Sequence, residues 1–298
     1  MADVQPMNIE QQISQITNGV RANAIPARGG SSAFDAIESF GASVIVNADD
    51  WGRDRYTTGR SLECFLLGAV SSVSAMVFME DSERAADLSR QHGVDAGLHL
   101  NFTLPFSAGQ CSVQLRERQQ RLSSALSSNR FAPALYHPFL AASFEYVVKA
   151  QLEEYERLYG TATKRLDGHH HMHLCANVLM QELLPEGAIV RRNLSFARGE
   201  KGFFNRVYRH RQDRRLARRQ RLADFFFDLQ PMEPRQRLED IFDLAERFDI
   251  EVETHPVRDE EYRFLTEGGL MRCAGEGAVA RGYVLRFCNS ESGVGRTC

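Results

Sequence analysis

The chain has 298 residues, of which 43% are hydrophobic and 25% are charged, and its formal net charge is −3. These values are typical of a globular protein and give no overall attraction to nucleic acid or to an anionic membrane. No apolar run approaches the roughly 18 residues needed to cross a bilayer, and residues 1–20 contain no apolar signal-peptide core. The six cysteines include no Cys-x-x-Cys pair, which favours free thiols and a cytoplasmic location over a disulfide framework or a zinc knuckle.

Residues 1–41 are predicted to be a flexible N-terminal extension. Residues 8–20 have the pattern of a short polar helix, and residues 26–32, rich in glycine and serine, are typical of a linker. The ordered domain is predicted over residues 42–288. Residues 289–298 are predicted to be a C-terminal tail.

Within that domain, short apolar runs predict buried parallel strands. These strands are placed at residues 43–47, 70–79, 94–100, 161–166, 188–192, 224–228, 250–254 and 283–287. Helical spacing of apolar residues predicts helices at residues 58–68, 82–92, 143–159 and 234–248. Residues 103–140 contain three prolines and are predicted to be an irregular insertion or lid. The repeated strand-then-helix order predicts an α/β fold whose parallel sheet closes, or nearly closes, into a distorted, TIM-barrel-like (β/α) barrel.

A histidine cluster in the middle of the chain is the densest chemical signal. Asp167 and Gly168 are followed by His169, His170, His171 and, after one methionine, by His173. Neutral imidazole is the commonest protein ligand of divalent transition metals. The cluster follows a predicted strand, and the ends of parallel strands carry the chemistry of α/β folds. A fortuitous or structural cluster is the alternative interpretation.

Two other predicted strand ends carry residues of the same kind. Asp49 and Asp50 follow the first strand, and His99 lies in the third. One carboxylate and two imidazoles from separate strands can hold a cation and leave its other positions open, as catalytic metal sites do. The second aspartate would then take a proton from water. A turn at Trp51-Gly52 is expected to bring both aspartates to one side of the sheet. Taken singly, Asp50 is equally well explained as a helix cap and His99 as a core histidine.

A fourth strand end provides His255, directly before Pro256. The proline stops the strand and fixes a turn, so we expect His255 to project over the same site as a general acid. A surface histidine at a turn is the simpler alternative.

Residues 206–221 contain eight arginines. Such a segment can bind phosphate or nucleic acid, but it is more often a solvated helix face, and no known nucleic-acid motif accompanies it. We therefore do not expect nucleic acid as a partner.

Together, the segments Asn-Ala-Asp-Asp-Trp-Gly at residues 47–52, Gly-Leu-His-Leu at 97–100, the histidine cluster and His255-Pro256 resemble the YdjC-like carbohydrate deacetylases, which include chitooligosaccharide deacetylases. The resemblance covers about residues 43–287. It implies a distorted (β/α) barrel that removes acetyl groups from N-acetylated sugars with one divalent metal ion and no organic cofactor. Two histidines and one aspartate favour Zn²⁺ or another transition metal, whereas the resemblance implies that Mg²⁺ is also used.

Carried onto this sequence, the resemblance implies Asp50, His99 and His169 as metal ligands, Asp49 as the base and His255 as the residue that closes the site. The side chains expected to support the ligands or contact substrate are Asp167, His171, His173, Trp51 and Arg192. The family often has phenylalanine in place of Trp51 and a Leu-Ser pair in place of Arg53-Asp54.

The sequence therefore predicts a hydrolase of a linear amide, a carbohydrate N-deacetylase acting on an N-acetylated sugar or oligosaccharide. A metal-dependent phosphoesterase, with residues 206–221 holding phosphate, is one alternative. A non-catalytic sugar-binding or scaffold protein is another. A membrane partner is not expected, and assembly into a homo-oligomer is left open.

Overall fold

Seven parallel strands form a single sheet in the part of the chain that the structure describes. The computed structural model describes residues 44–195, 202–245 and 247–274. The predictions for residues 1–41, 283–287 and 289–298 lie outside these ranges. The strands are β1 (Ile45–Trp51), β2 (Ser72–Ala75), β3 (Ala96–Leu100), β4 (Arg165–Gly168), β5 (Ile189–Val190), β6 (Phe225–Asp228) and β7 (Ile250–Thr254). Their order in the sheet is β5-β4-β3-β2-β1-β7-β6, and all neighbours are parallel.

The sheet is curled, and its two edges approach each other. The Val190 amide donates to the Arg221 carbonyl at 2.9 Å, just before β6, and the Ser195 amide donates to the Phe226 carbonyl at 2.7 Å. Ile45, on the interior strand β1, packs with Ile189 and Ala223 from the two edges. A side chain of an interior strand reaches both edges only on the inside of a curled sheet. The α/β, TIM-barrel-like fold predicted from the sequence is confirmed.

Helices cover the outside of the sheet. They are α1 (Arg55–Leu66), α2 (Ser82–His92), α3 (Val113–Leu126), α4 (Ala141–Tyr159), α5 (Ala176–Met180), α6 (Phe203–Leu216), α7 (Arg235–Leu244), α8 (Asp259–Thr266) and α9 (Gly269–Ala274). The predicted helix ends at residues 92 and 159 are observed for α2 and α4, and Gly93 and Gly160 follow them in the left-handed conformation. None of the helices in the described ranges is both long and apolar enough to cross a membrane.

The expectation of an irregular insertion at residues 103–140 was wrong for its central part, which forms α3. The Ser112 side chain accepts a hydrogen bond from the Leu115 amide and caps this helix. Leu115, Leu122 and Leu126 are buried, and their helical spacing places them on one face. The prolines that suggested irregularity lie on either side of the helix.

The inside of the curled sheet is polar at the end where the strands finish. Side chains alternate across β1: Val46 and Ala48 join the apolar layer under the helices, whereas Asn47 and Asp49 form hydrogen bonds inside. On β7, Glu251 and Glu253 occupy inward positions and contact Arg191. The barrel therefore carries a charged layer directly beneath its mouth.

Candidate metal centre

Asp50 faces the mouth because β1 contains an extra residue at its end. Ala48 pairs with Val73 and Trp51 with Ala75, so three steps along β1 match two along β2, as in a β-bulge. Asp50 itself adopts a φ of +66°, a conformation that is uncommon outside glycine and costs energy. The predicted turn exists, but Asp50 is its first residue and takes up the strain. Both aspartates consequently face the interior.

Three side chains from separate strand ends converge on one point. Asp50 Oδ1 lies 3.0 Å from His169 Nδ1 and 3.4 Å from His99 Nε2. One nitrogen or oxygen from each residue lies within 4.8 Å of the others, and all three residues are buried. Burial would raise the pKa of Asp50, but hydrogen bonds from His169 and His99 hold it well below its usual range. The donor set is thus one ionised carboxylate and two imidazoles.

His99 is oriented by Asp167. Asp167 Oδ1 lies 2.7 Å from His99 Nδ1, which directs Nε2 toward Asp50, in the way that carboxylates commonly orient metal-binding histidines. Burial lowers the pKa of His99, but the charges of Asp167 and Asp49 outweigh it and raise the pKa to about 10. This pocket therefore strongly favours a positive charge.

The histidine loop is held in an unusual backbone conformation. His170 and His171 have φ values of +53° and +56°. A side chain at Gly168 would lie about 3.0 Å from the His173 backbone nitrogen, so the tight path of the loop requires glycine there. This path aims His169 at Asp50, and it places His171 Nε2 3.5 Å from Glu253 Oε1.

Asp49 is held by an arginine that the sequence analysis did not select. Arg191 donates to both carboxylate oxygens of Asp49 at 2.7 Å and also lies 2.7 Å from an oxygen of Asp167. Its side chain is 1% exposed. Burial would lower the pKa of Arg191, but the charges of Asp167 and Asp49 raise it well above its usual value. Arg191 is therefore a permanent cation inside the barrel.

Two groups of side chains in the described residues could hold a cation, and Arg191 contacts one of them. Asp49, His99 and Asp167 form a second group whose ligand atoms lie within 4.8 Å of one another. The guanidinium of Arg191 already contacts carboxylate oxygens of Asp49 and Asp167. In the described residues, the group of Asp50, His99 and His169 makes no ion pair with Arg191, and it is the candidate metal position.

A cavity of about 350 Å³ opens above these residues. His255 lies on its wall, and its backbone amide donates to Glu261 at 2.6 Å. Asp228, from the end of β6, lies on the same wall, and burial together with the charge of Glu253 raises its pKa. Arg53 and Arg258 complete the rim. The cavity therefore has room for a small polar substrate group beside Asp49, Asp50 and His255.

Comparison with known proteins places this arrangement in a family. Residues 43–275 match the family model described as YdjC-like protein. The chain belongs to the YdjC-like protein family.

Curated relatives of this YdjC-like chain are named deacetylases. It is 27% identical over 251 residues to a carbohydrate deacetylase of Vibrio cholerae, a match that covers 77% of this chain and 90% of that protein. It is 32% identical over 140 residues to a carbohydrate deacetylase of Mus musculus, covering 45% and 44%. It is 30% identical over 138 residues to a chitooligosaccharide deacetylase of Yersinia pestis, covering 45% and 52%. The matched stretch thus spans about half the length of the mouse and Yersinia proteins.

A solved structure supports the fold of the YdjC-like chain. A protein of Enterococcus faecalis V583, described as a proposed cellobiose-phosphate cleavage protein, superposes with a TM-score of 0.56 at 16% sequence identity. The match covers 82% of this chain and 98% of that one. At this identity the comparison shows the fold alone.

Three predicted site residues of the YdjC-like chain lie away from the cavity. Trp51 is fully buried, and its Nε1 donates to the Ala85 carbonyl at 3.2 Å. Arg192 turns to the other side of β5, where it lies 3.0 Å from Asp213. His173 is fully buried, with Nε2 2.9 Å from the Arg191 carbonyl. His173 therefore supports the backbone at Arg191, and Trp51 packs against α2.

Sequence reasoning missed Arg191, which is buried beneath the cavity, and several residues of the cavity wall, among them Arg53, Asp228, Glu253 and Arg258. A signal for Arg191 exists, because the inward positions of β1, β4 and β7 carry several acids and require a cation. The sequence does not say which of two adjacent arginines, Arg191 or Arg192, points inward, since a shift of one residue reverses the face.

Proposed function

We propose that this YdjC-like chain is a metal-dependent hydrolase that removes the acetyl group from an N-acetylated sugar or oligosaccharide. The observation that carries the proposal is the convergence of Asp50, His99 and His169 beside a second, firmly held carboxylate, Asp49. The Vibrio cholerae relative, matched over 90% of its length, is named a carbohydrate deacetylase. Paired carboxylates with distinct partners suit an amide hydrolysis in which one binds a cation and the other moves a proton.

The donor set fits a divalent cation. Asp50, His99 and His169 would hold it, with Asp167 orienting His99. A cation bound there would polarise the acetyl carbonyl and make water more acidic. Two imidazoles favour Zn²⁺ or another transition metal, whereas Mg²⁺ prefers oxygen ligands. We propose a transition metal, and elemental analysis of the purified protein distinguishes it from Mg²⁺.

In this mechanism Asp49 accepts a proton from the attacking water. Its carboxylate is 3% exposed and receives hydrogen bonds from Arg191 and Asn47. These bonds fix the plane of the carboxylate, so it does not lose orientation while the substrate enters. Such positioning of a general base contributes to rate because the reacting groups are held close to the geometry of proton transfer.

His255 protonates the leaving nitrogen. As water adds to the acetyl carbon and the C–N bond breaks, the sugar nitrogen must gain a proton to leave as an amine. His255 stands on the cavity wall next to Asp228 and Arg258. The products are acetate and the free amino sugar, and no covalent intermediate is needed.

Mass spectrometry tests the proposal. The purified protein, loaded with Zn²⁺, Co²⁺ or Mg²⁺ in turn, is incubated with N-acetylated mono- and oligosaccharides. We expect a loss of about 42 Da per acetyl group, together with free acetate, as amide hydrolysis requires. Asp50→Asn is the matched control, because it removes one negative charge and almost no volume. No acetate from any sugar with any of the metals would refute the function.

A metal-dependent phosphoesterase is the second candidate, and one observation favours it. A groove of about 590 Å³ runs between α6 and the segment after β5, and arginines 192, 206, 209, 211 and 214 line it. Exposed arginines are suited to binding phosphate. Release of inorganic phosphate without acetate from phosphorylated N-acetyl sugars would select this function over deacetylation.

A further inference from the structure

The two oxygens of the Asp50 carboxylate face different partners. Oδ1 faces the imidazoles of His169 and His99, at 3.0 and 3.4 Å. Oδ2 lies 3.3 Å from Nη1 of Arg53. A carboxylate can offer a cation either one oxygen or both. In this structure the second oxygen is already occupied by a guanidinium.

Arg53 is fixed in this position from two directions. Its backbone amide donates to the Asp50 carbonyl at 3.1 Å, which closes the turn at the end of β1. Gly52, with a φ of +87°, permits that turn, and a side chain there would lie 3.0 Å from the Met76 carbonyl. The Nε atom of Arg53 lies 3.5 Å from Asp54, whose carboxylate also caps α1. The guanidinium is therefore held between the helix cap and the carboxylate of Asp50.

Arg53 also borders the space above the centre. Its side chain is 36% exposed, and it lines the cavity together with His255 and Arg258. Its positive charge is thus beside the cation position, at the open side of the site. No other described residue contacts Asp50 Oδ2 in a hydrogen bond or an ion pair.

We infer that Arg53 is a positioning residue that restricts Asp50 to one-oxygen ligation and lowers the affinity of the centre for its divalent cation. By engaging Oδ2, Arg53 takes up part of the carboxylate charge and keeps the second oxygen from the cation. A cation held by fewer anionic oxygens retains more positive charge for polarising a carbonyl group. This inference rests on the metal site of the proposed function and does not depend on the identity of the sugar.

Metal titration tests the inference without reference to turnover. Isothermal titration of the metal-free full chain with Zn²⁺ and with Co²⁺ gives the Kd for wild type and Arg53→Gln. Because a like charge beside the site is removed and an oxygen becomes free, we expect Arg53→Gln to bind the metal about tenfold more tightly. Arg53→Lys, which keeps the charge, should stay close to wild type. Arg55→Gln is the matched control, since Arg55 is exposed, does not line the cavity and carries the same charge two residues away.

The visible absorption of bound Co²⁺ provides a second readout. Its bands weaken as the coordination number rises, so Arg53→Gln should show weaker bands than wild type if Asp50 then offers both oxygens.

An unchanged or weaker affinity in Arg53→Gln would overturn the role of Arg53. Equal tightening in Arg55→Gln would also overturn it, because the effect would then be one of general charge. If wild type bound neither ion, the metal site of the proposed function would be refuted as well. Thermal unfolding of each variant checks that it is folded.

Discussion

Arg191 and Asp49 form a two-point ion pair inside the barrel, with both hydrogen bonds at 2.7 Å and both side chains almost completely buried. The same guanidinium contacts Asp167 and two glutamates of β7. Arg191 therefore connects Asp49, the expected base, with Asp167, which orients His99, and with the glutamates of β7.

The first prediction concerns the stability that this arginine provides. Arg191→Met should lower the free energy of unfolding by roughly 3–5 kcal/mol, because buried carboxylates lose their partner. Urea unfolding followed by circular dichroism measures the change. Arg192→Met is the control, since the neighbouring side chain is only partly buried and pairs with Asp213 on the other side of β5. An equal loss in both variants would contradict a special role for Arg191.

The second prediction separates the two adjacent aspartates. Asp49→Asn should keep the metal and lose roughly 10²- to 10⁴-fold in turnover, which is the usual contribution of a general base. Asp50→Asn should bind metal weakly and recover part of its activity in excess metal. Metal content by elemental analysis and acetate release by mass spectrometry measure the two effects. Metal loss in Asp49→Asn with retention in Asp50→Asn would reverse the roles.

The third prediction orders the histidines. His99→Ala and His169→Ala should each lose bound metal, because their ring nitrogens face Asp50. His171→Ala should retain metal, since its Nε2 faces Glu253 instead. Elemental analysis of the three purified variants checks the order. Full metal occupancy in His99→Ala and His169→Ala would remove the assigned ligand set, and equal loss in His171→Ala would extend it.

The fourth prediction concerns acid stability and rests on Glu253. Burial would raise its pKa, but His171 and Arg191 outweigh burial and lower the pKa to about 2. An unfolded glutamate titrates near 4.3, so Glu253 stabilises the fold above about that pH. This contribution, on the order of 2–3 kcal/mol, is lost as the pH falls toward 2.

Urea unfolding of the metal-free chain at a series of pH values measures this dependence. Glu253→Gln should be less stable than wild type at neutral pH and should lose less stability between about pH 4.5 and pH 2. Glu186→Gln is the control, because Glu186 is exposed and lies far from the mouth. If the free energy of unfolding changed with pH in the same way for wild type and Glu253→Gln, folding would not lower the pKa of this carboxylate.

The fifth prediction concerns the arginines of α6. If they form only a solvated face, changing Arg206, Arg211 and Arg214 to Gln should leave turnover of neutral N-acetyl sugars within about twofold, because exposed charges contribute little. If the groove holds an anionic group, the triple variant should lose affinity for phosphorylated sugars alone. That loss should also appear in wild type as ionic strength rises. Steady-state kinetics on matched neutral and phosphorylated substrates distinguish the two outcomes.

Residue types at strand ends were sufficient to anticipate which groups come together. Parallel strands finish at one edge of a sheet, so Asp50, His99 and His169 had to approach one another once the strands were placed. The curled α/β fold followed from the same alternation of strands and helices. These features depend on periodicity, which a single sequence displays directly.

Features that depend on one residue of register could not be anticipated in this way. The bulge in β1 turns Asp50 inward without any distinctive sequence, and the choice between Arg191 and Arg192 depends on which face of β5 is inside. Helix α3 was not predicted, because Pro105, Pro133 and Pro138 favour an irregular segment. The spacing of the leucines between them favours the helix that is observed. Trp51 was expected beside the substrate because it adjoins the aspartates, yet the bulge at Asp50 reverses the alternation of β1 and places Trp51 in the outer layer.

The central position of Arg191 bears on the order of assembly of this protein. Four acidic side chains from β1, β4 and β7 meet inside the barrel, and the chain supplies its own cation to the place where they meet. Strand association therefore does not have to wait for a metal ion to neutralise those acids. The acidic layer can therefore form before any ion is bound, and a cation held by Asp50, His99 and His169 would reach its position through the open cavity.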